Sequence, residues 1–180
     1  MSYKTILITG AGGFVGRNLL KYFDKTNKYK IIALVNQNFK INLYTNITFI
    51  SVKNLNNFNI EKNVQNKIDI IIHLAGKAHS KYSKLSYYNS NFLLTKKIFD
   101  YSKRNNIKKF IFFSSIKVNG EISEFNKPFK FDDKPNPQDN YAKSKFECEN
   151  YLTNQKNHNV KIFILRPPII IGKNFKGNLS

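Results

Sequence analysis

The segment YKTILITGAGGFVGRNLLKYF, residues 3–23, passes from a β-branched apolar run through three spaced glycines into a stretch with helical periodicity. Gly10 permits a tight turn after the predicted strand, Gly13 removes a side chain where a pyrophosphate must approach the backbone, and Gly16 lets the helix pack close to the sheet. The start of that helix presents free N–H groups and a partial positive charge to phosphates. The joint therefore predicts a dinucleotide-binding site.

Outward from this joint, apolar runs alternate with helical segments. Continuously apolar strands are typical of a parallel sheet covered by helices, and the alternation indicates a doubly wound, Rossmann-type α/β fold with helices on both faces. One domain, residues 1–180, suits the length of the chain. A polar stretch with three prolines predicts a long loop at residues 119–138. The predicted strands are residues 4–9, 30–35, 47–52, 68–74, 108–114 and 160–165, and the predicted helices are residues 14–24, 85–105 and 139–156.

The composition limits the kinds of partner and the cellular compartment that we expect for the protein. The formal net charge is +19, but the cations are scattered and nearly all lysines, and no zinc-finger spacing or RNA-binding aromatic motif accompanies them. We therefore expect no nucleic-acid partner. No apolar run is long enough to cross a bilayer, residues 1–4 lead directly into the first strand, and Cys148 has no second cysteine to pair with. These features predict a cytoplasmic protein without a signal peptide or a membrane partner.

A second group of residues suggests chemistry. Tyr141 and Lys145 open a predicted helix four residues apart, so they share one helical face. A phenol normally ionises near pH ~10, and a neighbouring ammonium together with a cationic nicotinamide favours the phenolate, which could then act as a base. A tyrosine and a lysine at this spacing also occur by chance on helix surfaces. Ser114 and Ser115 end the fifth predicted strand, at the sheet edge where doubly wound folds bind ligands.

The glycine spacing in TGAGGFVG is G-x-x-G-x-x-G, and it resembles the short-chain dehydrogenase/reductase superfamily in its extended branch of sugar-nucleotide enzymes. In SSIKVNG, residues 114–120, Ser115 matches the catalytic Ser/Thr of that superfamily. The resemblance implies that Ser115 holds the substrate oxygen while Tyr141 moves the proton. It also implies that Lys145 contacts both Tyr141 and the nicotinamide ribose.

Three longer segments, SSIKVNGE, KPNPQDNYAKSKFECE and ILRPPIIIGKNFKGN, are most similar to bacterial NAD(P)-dependent epimerase/dehydratase proteins. Within that family they resemble UDP-glucose 4-epimerase-like proteins and the 4-keto-6-deoxy-N-acetylhexosamine reductases of surface-polysaccharide pathways. Both chemistries pass a hydride between C4 of the sugar and nicotinamide. The resemblance thus implies NAD or NADP as cofactor and a UDP-sugar as substrate.

The resemblance also assigns residues to the ligands. Ser115 and Asn178 are implied at the substrate, with Asn178 near the nucleotide phosphates. His73 is expected to be structural and His79 to line the cleft, because neither has metal-ligand partners at useful spacing, and we expect no metal. Residues implied at the cofactor are Gly10, Gly13, Phe14, Val15, Gly16, Asn36, Asn54, Leu55, Leu74, Ala75, Gly76, Asn91, Tyr141, Lys145 and Pro168.

The chain departs from the family pattern in four places. Asn36, Gln37 and Asn38 stand where NAD-preferring members carry an acid, so NAD and NADP both stay open. Asn54 replaces an Asp that meets the adenine, and Ile171 replaces a tyrosine. The C-terminal substrate domain of extended members is expected to be largely absent.

Three functional hypotheses remain. The chain is an enzyme, alone or with a complementing chain that carries the missing half. Alternatively, it is a catalytically inactive cofactor-binding remnant, or a nucleotide-sensing module. The exposed sixth strand predicts a homodimer or poor solubility.

Overall fold

A single parallel sheet forms the centre of the molecule. The computed structural model describes residues 3–39, 44–78, 82–156 and 158–172. Its six strands pair in the order β3-β2-β1-β4-β5-β6, and every neighbouring pair is parallel. The strands are β1 (Lys4–Thr9), β2 (Tyr29–Asn36), β3 (Ile47–Val52), β4 (Ile70–His73), β5 (Lys109–Phe113) and β6 (Lys161–Leu165). This confirms the predicted doubly wound α/β class.

The helices lie in the connections between strands. A π-helical turn, Tyr88–Leu93, joins α3 to α4, so the predicted helix over residues 85–105 is three consecutive segments. The loop predicted at residues 119–138 contains no helix or strand, and a short 3-10 turn, Ile116–Val118, precedes it. The helices are α1 (Phe14–Thr26), α2 (Ile60–Asn63), α3 (Lys84–Tyr87), α4 (Leu94–Arg104) and α5 (Asn140–Thr153).

Alternate residues of the strands fill two cores, one on each face of the sheet. Leu7 of β1 points to a core built with α4 and α5, whereas Ile6 and Ile8 point to a core built with α1. All three side chains are buried, and each fully buried aliphatic side chain contributes about 1.5–3 kcal/mol. Burial on both faces explains why the central strands read as continuous apolar runs.

The order of the strands determines where a ligand-binding crevice is expected. After β1 the chain proceeds to β2 and β3 on one side, and then crosses to β4 on the other side of β1. The carboxyl ends of β1 and β4 therefore flank the point where the strand order reverses, which is where open α/β sheets bind ligands. Among the described residues, no helix has both the length and the apolarity needed to cross a bilayer.

Candidate active site

The β1–α1 joint has the close contacts that its glycines predict. Gly10 has φ +69°, and a Cβ there would lie 2.6 Å from the backbone N of Ala75, after β4. A Cβ on Gly16 would lie 2.5 Å from the carbonyl oxygen of Ala11, so only glycine lets α1 approach the joint. Gly13 is the N-cap of α1 and supplies no side-chain cap to its first turn. The first turn of α1 therefore receives no side-chain cap from its N-cap residue, an arrangement suited to a bound diphosphate.

Ser115 and Tyr141 meet at the carboxyl edge of the sheet. Ser115 follows β5, is 9% exposed, and its hydroxyl hydrogen-bonds to Tyr141 in the first turn of α5. Asp139 caps that helix, because its Oδ1 accepts a hydrogen bond of 2.6 Å from the N–H of Ala142. The cap fixes the start of α5 and hence the position of Tyr141 against Ser115.

Lys145 lies one turn further along α5 and is buried. Its Nζ donates to the carbonyl oxygen of Phe113 at 2.8 Å and lies 5.9 Å from the centroid of the Tyr141 ring. Burial lowers the pKa of Lys145, while Cys148 and Glu149 act in the opposite direction. The structure thus brings the three predicted catalytic residues together, with the ammonium anchored to the end of β5.

Electrostatics around Tyr141 differ in detail from the sequence expectation. Burial raises the pKa of Tyr141, and the hydrogen bond from Ser115 opposes that increase. Asp139 raises this pKa further, and the ammonium that lowers it is that of Lys117. Lys117 bridges Asp139 at 2.9 Å and Glu121 at 3.0 Å. The motif SSIKVNG contains Lys117, but nothing in the local sequence shows that it would face α5.

Asn91 joins the loop after β4 to α5. Its Oδ1 accepts from the N–H of Lys77 at 2.8 Å, and its Nδ2 donates to the Lys77 carbonyl at 3.1 Å and to the Ser144 hydroxyl at 2.9 Å. A Cβ on Gly76 would lie 2.9 Å from Asn91 Oδ1 and 3.8 Å from Lys145 Nζ. These bonds favour a positioning role for Asn91, which sets the Gly76 loop beside Lys145; direct contact with the cofactor stays a prediction.

His73 has protein partners for both ring nitrogens. Its Nδ1 lies 2.6 Å from the Thr9 hydroxyl and its Nε2 lies 3.0 Å from the Thr95 hydroxyl. The same Thr9 oxygen accepts from the N–H of Ala75 at 3.3 Å. Burial lowers the pKa of His73 to about 3, with a smaller contribution from Lys145, so the imidazole is neutral. It supports the loop that carries Ala75, in agreement with the expected structural role.

The other predicted cofactor residues surround the joint. Asn36 ends β2 and is exposed, Leu74 packs on the α1-side core, and Leu55 packs on the opposite core. Asn54 Oδ1 accepts from the N–H of Asn56 at 3.0 Å, which shapes the turn after β3. The Lys97 Nζ of α4 also donates to the Leu55 carbonyl at 3.2 Å.

The remaining predictions concern the ends of elements near α1. Val15 is half-buried in the first turn of α1, and Pro168 is exposed after β6. A Cβ on Gly172 would lie 3.3 Å from Phe14 Cζ, so the segment after β6 returns to the start of α1. Asn178 and His79 lie outside the described residues.

The sequence did not predict a buried ion pair that joins the residue after β6 to α5, next to the candidate site. Arg166, directly after β6, contacts Glu149 of α5 at 2.6 Å, with the two side chains 9% and 5% exposed. Glu149 also accepts from the Ser114 hydroxyl, and Arg166 donates to the carbonyl of Phe131 at 2.9 Å and to Asn119 Oδ1 at 3.2 Å. The sequence signal was that an arginine precedes two prolines, and this pattern alone does not identify the residue with which the arginine pairs. Within the described ranges, no group of three or more His, Cys, Asp or Glu residues is placed to hold a metal ion.

Comparisons with known proteins agree with this geometry. The family model described as "NAD dependent epimerase/dehydratase family" matches residues 6–180. UDP-glucose 4-epimerase of Vibrio cholerae is 33% identical over 184 residues, which cover 98% of this chain and 55% of that protein.

Two solved structures of related enzymes were also compared. UDP-N-acetylglucosamine 4-epimerase from Methanobrevibacter ruminantium M1, in complex with UDP-N-acetylmuramic acid, superimposes with a TM-score of 0.80 at 30% identity, covering 92% of this chain and 55% of that one. UDP-glucuronic acid 4-epimerase from Bacillus cereus, in complex with NAD, gives a TM-score of 0.77 at 26% identity, covering 91% and 56% of the two chains. The chain thus spans about half the length of these relatives.

Proposed function

Since the chain belongs to the NAD-dependent epimerase/dehydratase family, we propose that it binds NAD or NADP at the β1–α1 joint and takes part in hydride transfer at C4 of a UDP-sugar. The substrate class follows from the names of the relatives, which act on or bind UDP-sugars. The roles of Tyr141, Ser115 and Lys145 are part of the proposal.

The residues at the joint fit a dinucleotide. A Cβ at Gly10 or Gly76 would collide with neighbouring atoms, so the loops after β1 and β4 meet without side chains between them. The uncapped start of α1 at Gly13 provides the N–H groups and the partial positive charge that a diphosphate needs. When bound, the nicotinamide ring supplies the hydride acceptor and donor.

The chain's own residues would handle the proton. As the C4–H bond breaks, the C4 hydroxyl proton passes to Tyr141 Oη, and in the reverse direction Tyr141 returns it to the C4 ketone oxygen. Ser115 holds that oxygen, and the Lys145 ammonium, one helical turn along α5 from Tyr141, stabilises the positions of Tyr141 and Ser115. Because burial raises the pKa of Tyr141, the phenol is the resting form and is ready to donate. Oxidation of the alcohol would instead use the phenolate of Tyr141, which the hydrogen bond from Ser115 and the Lys117 ammonium favour.

The convergence of Ser115, Tyr141 and Lys145 at the carboxyl end of β5 is the observation that carries the proposal. These residues come from β5 and α5, so random surface placement would not bring them together at the crevice. The second candidate is a cofactor-binding half without turnover, which the glycine contacts and the helix start at the β1–α1 joint support by themselves.

Two measurements separate these candidates. Fluorescence titration with NADH and with NADPH should show saturable binding that Gly13→Asp removes, because the new carboxylate repels the diphosphate. Absence of binding to both dinucleotides would refute both candidates. Wild-type protein is then incubated with UDP-glucose or UDP-N-acetylglucosamine and each cofactor.

Product formation that Tyr141→Phe abolishes supports the enzyme, and binding without product supports the cofactor-binding half. Tyr22→Phe, an exposed tyrosine on α1, is the matched control. Turnover that survives Tyr141→Phe would refute the assigned proton carrier.

A further inference from the structure

The three arginines of the chain are in different electrostatic situations. Arg104 pairs with Glu61 at 2.6 Å, and Arg166 pairs with Glu149 at 2.6 Å. Arg17, in the first turns of α1, forms no ion pair with any carboxylate of the described residues. A guanidinium without a carboxylate partner keeps its full capacity to bind an external anion bidentately.

Arg17 is nonetheless held in place. Its Nε donates to the carbonyl oxygen of Gly12 at 2.7 Å, and its Cζ lies 4.9 Å from the centroid of the Phe39 ring. Phe39 in turn stacks on Phe49 of β3 at a centroid distance of 5.6 Å. The ring contact and the hydrogen bond orient the guanidinium plane, and among the described residues no side chain or carbonyl hydrogen-bonds to its two terminal nitrogens.

The turn after β2, the element end at which Rossmann-type folds hold the adenine-side ribose, comes back to Arg17. Phe39 N–H donates to the Asn36 carbonyl at 3.1 Å, so the turn after β2 brings Phe39 back to the glycine joint. A Cβ on Gly12 would lie 3.0 Å from Phe39 Cδ2, which shows how closely the two loops approach. Arg17 therefore lies between the predicted diphosphate site and the end of β2.

The end of β2 has no acid that would oppose a phosphate there. Asn36, Gln37 and Asn38 are exposed and uncharged, whereas an Asp or Glu at this point accepts from the ribose 2′-hydroxyl of NAD and repels the 2′-phosphate of NADP. The single acid of α1, Asp24, lies about 10 Å further along the helix axis. The residues at the end of β2 and in the first turns of α1 therefore place no negative charge near Arg17 that would repel an anion.

We propose that Arg17 binds the 2′-phosphate of NADP(H), so that this chain prefers NADP(H) to NAD(H). The inference rests on the proposed function, because it requires a dinucleotide at the β1–α1 joint. It goes further by assigning the phosphate state of the cofactor to one side chain. The competing explanation is that Arg17 only packs the joint against Phe39.

Binding titrations of NADPH and NADH at fixed ionic strength test this directly. We expect wild-type protein to bind NADPH about tenfold or more tightly than NADH, because one charge-assisted contact is worth about that factor. Arg17→Ala should remove most of this difference by weakening NADPH alone. Lys25→Ala removes one positive charge from the last turn of the same helix, about 12 Å along the axis from Arg17, and should leave the NADPH/NADH ratio unchanged.

A second variant makes the test independent of any folding defect in Arg17→Ala. Asn36→Asp places a carboxylate at the end of β2 and should weaken NADPH about tenfold or more while NADH binding is retained. Equal wild-type affinities, or an equal loss of both dinucleotides in Arg17→Ala, would overturn the inference while leaving the proposed function intact. Failure of wild-type protein to bind either dinucleotide would overturn both.

Discussion

Ser115 is the residue whose single hydrogen bond has the clearest expected effect on chemistry. Its bond to Tyr141 opposes the pKa increase that burial causes. Ser115→Ala should therefore shift the alkaline-side pH dependence of turnover to higher pH, and lower turnover about a hundredfold or more through the lost contact to the substrate oxygen. The measurement is a pH–rate profile of wild type and variant. Ser115→Thr keeps a hydroxyl and should recover much of the rate; an equal loss in both variants would contradict the role.

Lys145, one of the proposed site residues, carries a buried charge that lowers the stability of the fold. Lys145 is 5% exposed and burial lowers its pKa, so the folded protein binds this proton less tightly than the unfolded chain does. Between the lowered pKa of the folded state and the ordinary lysine pKa of about 10.4, the unfolded chain binds more protons, so wild-type stability rises with pH in that window only. We expect Lys145→Met to raise the free energy of unfolding by about 1–2 kcal/mol near pH ~7, because a buried charge is replaced by an apolar side chain of similar length.

The pH dependence is the sharper part of this prediction. The stability gain of Lys145→Met should shrink as the pH approaches about 10, where the wild-type lysine loses its charge in both states. Urea unfolding of both proteins over a pH series measures it. Lys143→Met, an exposed lysine of the same helix, should change stability little at any pH. A gain that grows with pH, or a loss near neutrality, would contradict the account.

At the scale of elements, one ion pair connects three parts of the chain. Arg166 follows β6, Glu149 lies in α5, and Phe131, which receives a hydrogen bond from Arg166, lies in the loop at residues 119–138. We expect Arg166→Met to lower the free energy of unfolding by about 3–5 kcal/mol, because it leaves the buried Glu149 carboxylate without its ion-pair partner. Urea unfolding measures the change, and the double variant Arg166→Met/Glu149→Met should recover much of it.

The exposed pair Arg104–Glu61 provides the control. It has the same 2.6 Å separation, but its side chains are 60% and 46% exposed. Arg104→Met should cost less than about 1 kcal/mol, because solvent screens the charges. Equal costs for Arg104→Met and Arg166→Met would show that burial of the Arg166–Glu149 pair has no energetic consequence.

Hydrophobic periodicity predicted the long strands and helices. It did not predict the short elements, whose conformation depends on contacts with residues distant in the sequence. β1 and α1 carry their own apolar patterns, so their positions followed from the sequence. The four-residue helix α2 is too short to show a period and was missed. The π-helical turn at Tyr88–Leu93 holds Asn91, whose partners are Lys77 and Ser144, and no local pattern encodes such a contact.

The same distinction applies to the candidate site. Ser115, Tyr141 and Lys145 were identified because their motifs have fixed spacing, and the structure brings them together. Lys117, Arg17 and the Arg166–Glu149 pair were not assigned roles from the sequence. Their roles depend on partners in other elements, such as Asp139 for Lys117 and Phe39 for Arg17. A role that depends on contact between residues distant in the sequence can be assigned only from the three-dimensional structure.

For the whole molecule, the sheet is covered unequally. Phe163 and Leu165 of β6 are 44% and 43% exposed, and they pair in register with Ile111 and Phe113 of β5. This register places all four side chains on the same face as the α1-side core. Within the described part of the chain, no helix packs over this end of that face, although Ile162 and Ile164 on the opposite face contact the α4–α5 core. The result is an apolar strip beside an unpaired strand edge.

We expect this strip to drive self-association of the 180-residue chain. Exposed apolar strips next to a free strand edge favour contact between copies, while the net charge of +19 opposes it at low salt. Light scattering coupled to size exclusion should give a mass that increases with protein concentration and with salt. The double variant Phe163→Lys/Leu165→Lys should shift the protein toward monomer.

Tyr22→Lys is the matched control for this association. Tyr22 is 61% exposed on α1, away from β6, so its replacement adds charge and removes an exposed ring without touching the strip. Because it leaves the strip intact, it should reduce association much less than the double variant does. Equal effects would assign the association to net charge alone. A single monomeric mass for the wild type at every concentration and salt would show that the β6 face is stable in water without a covering partner.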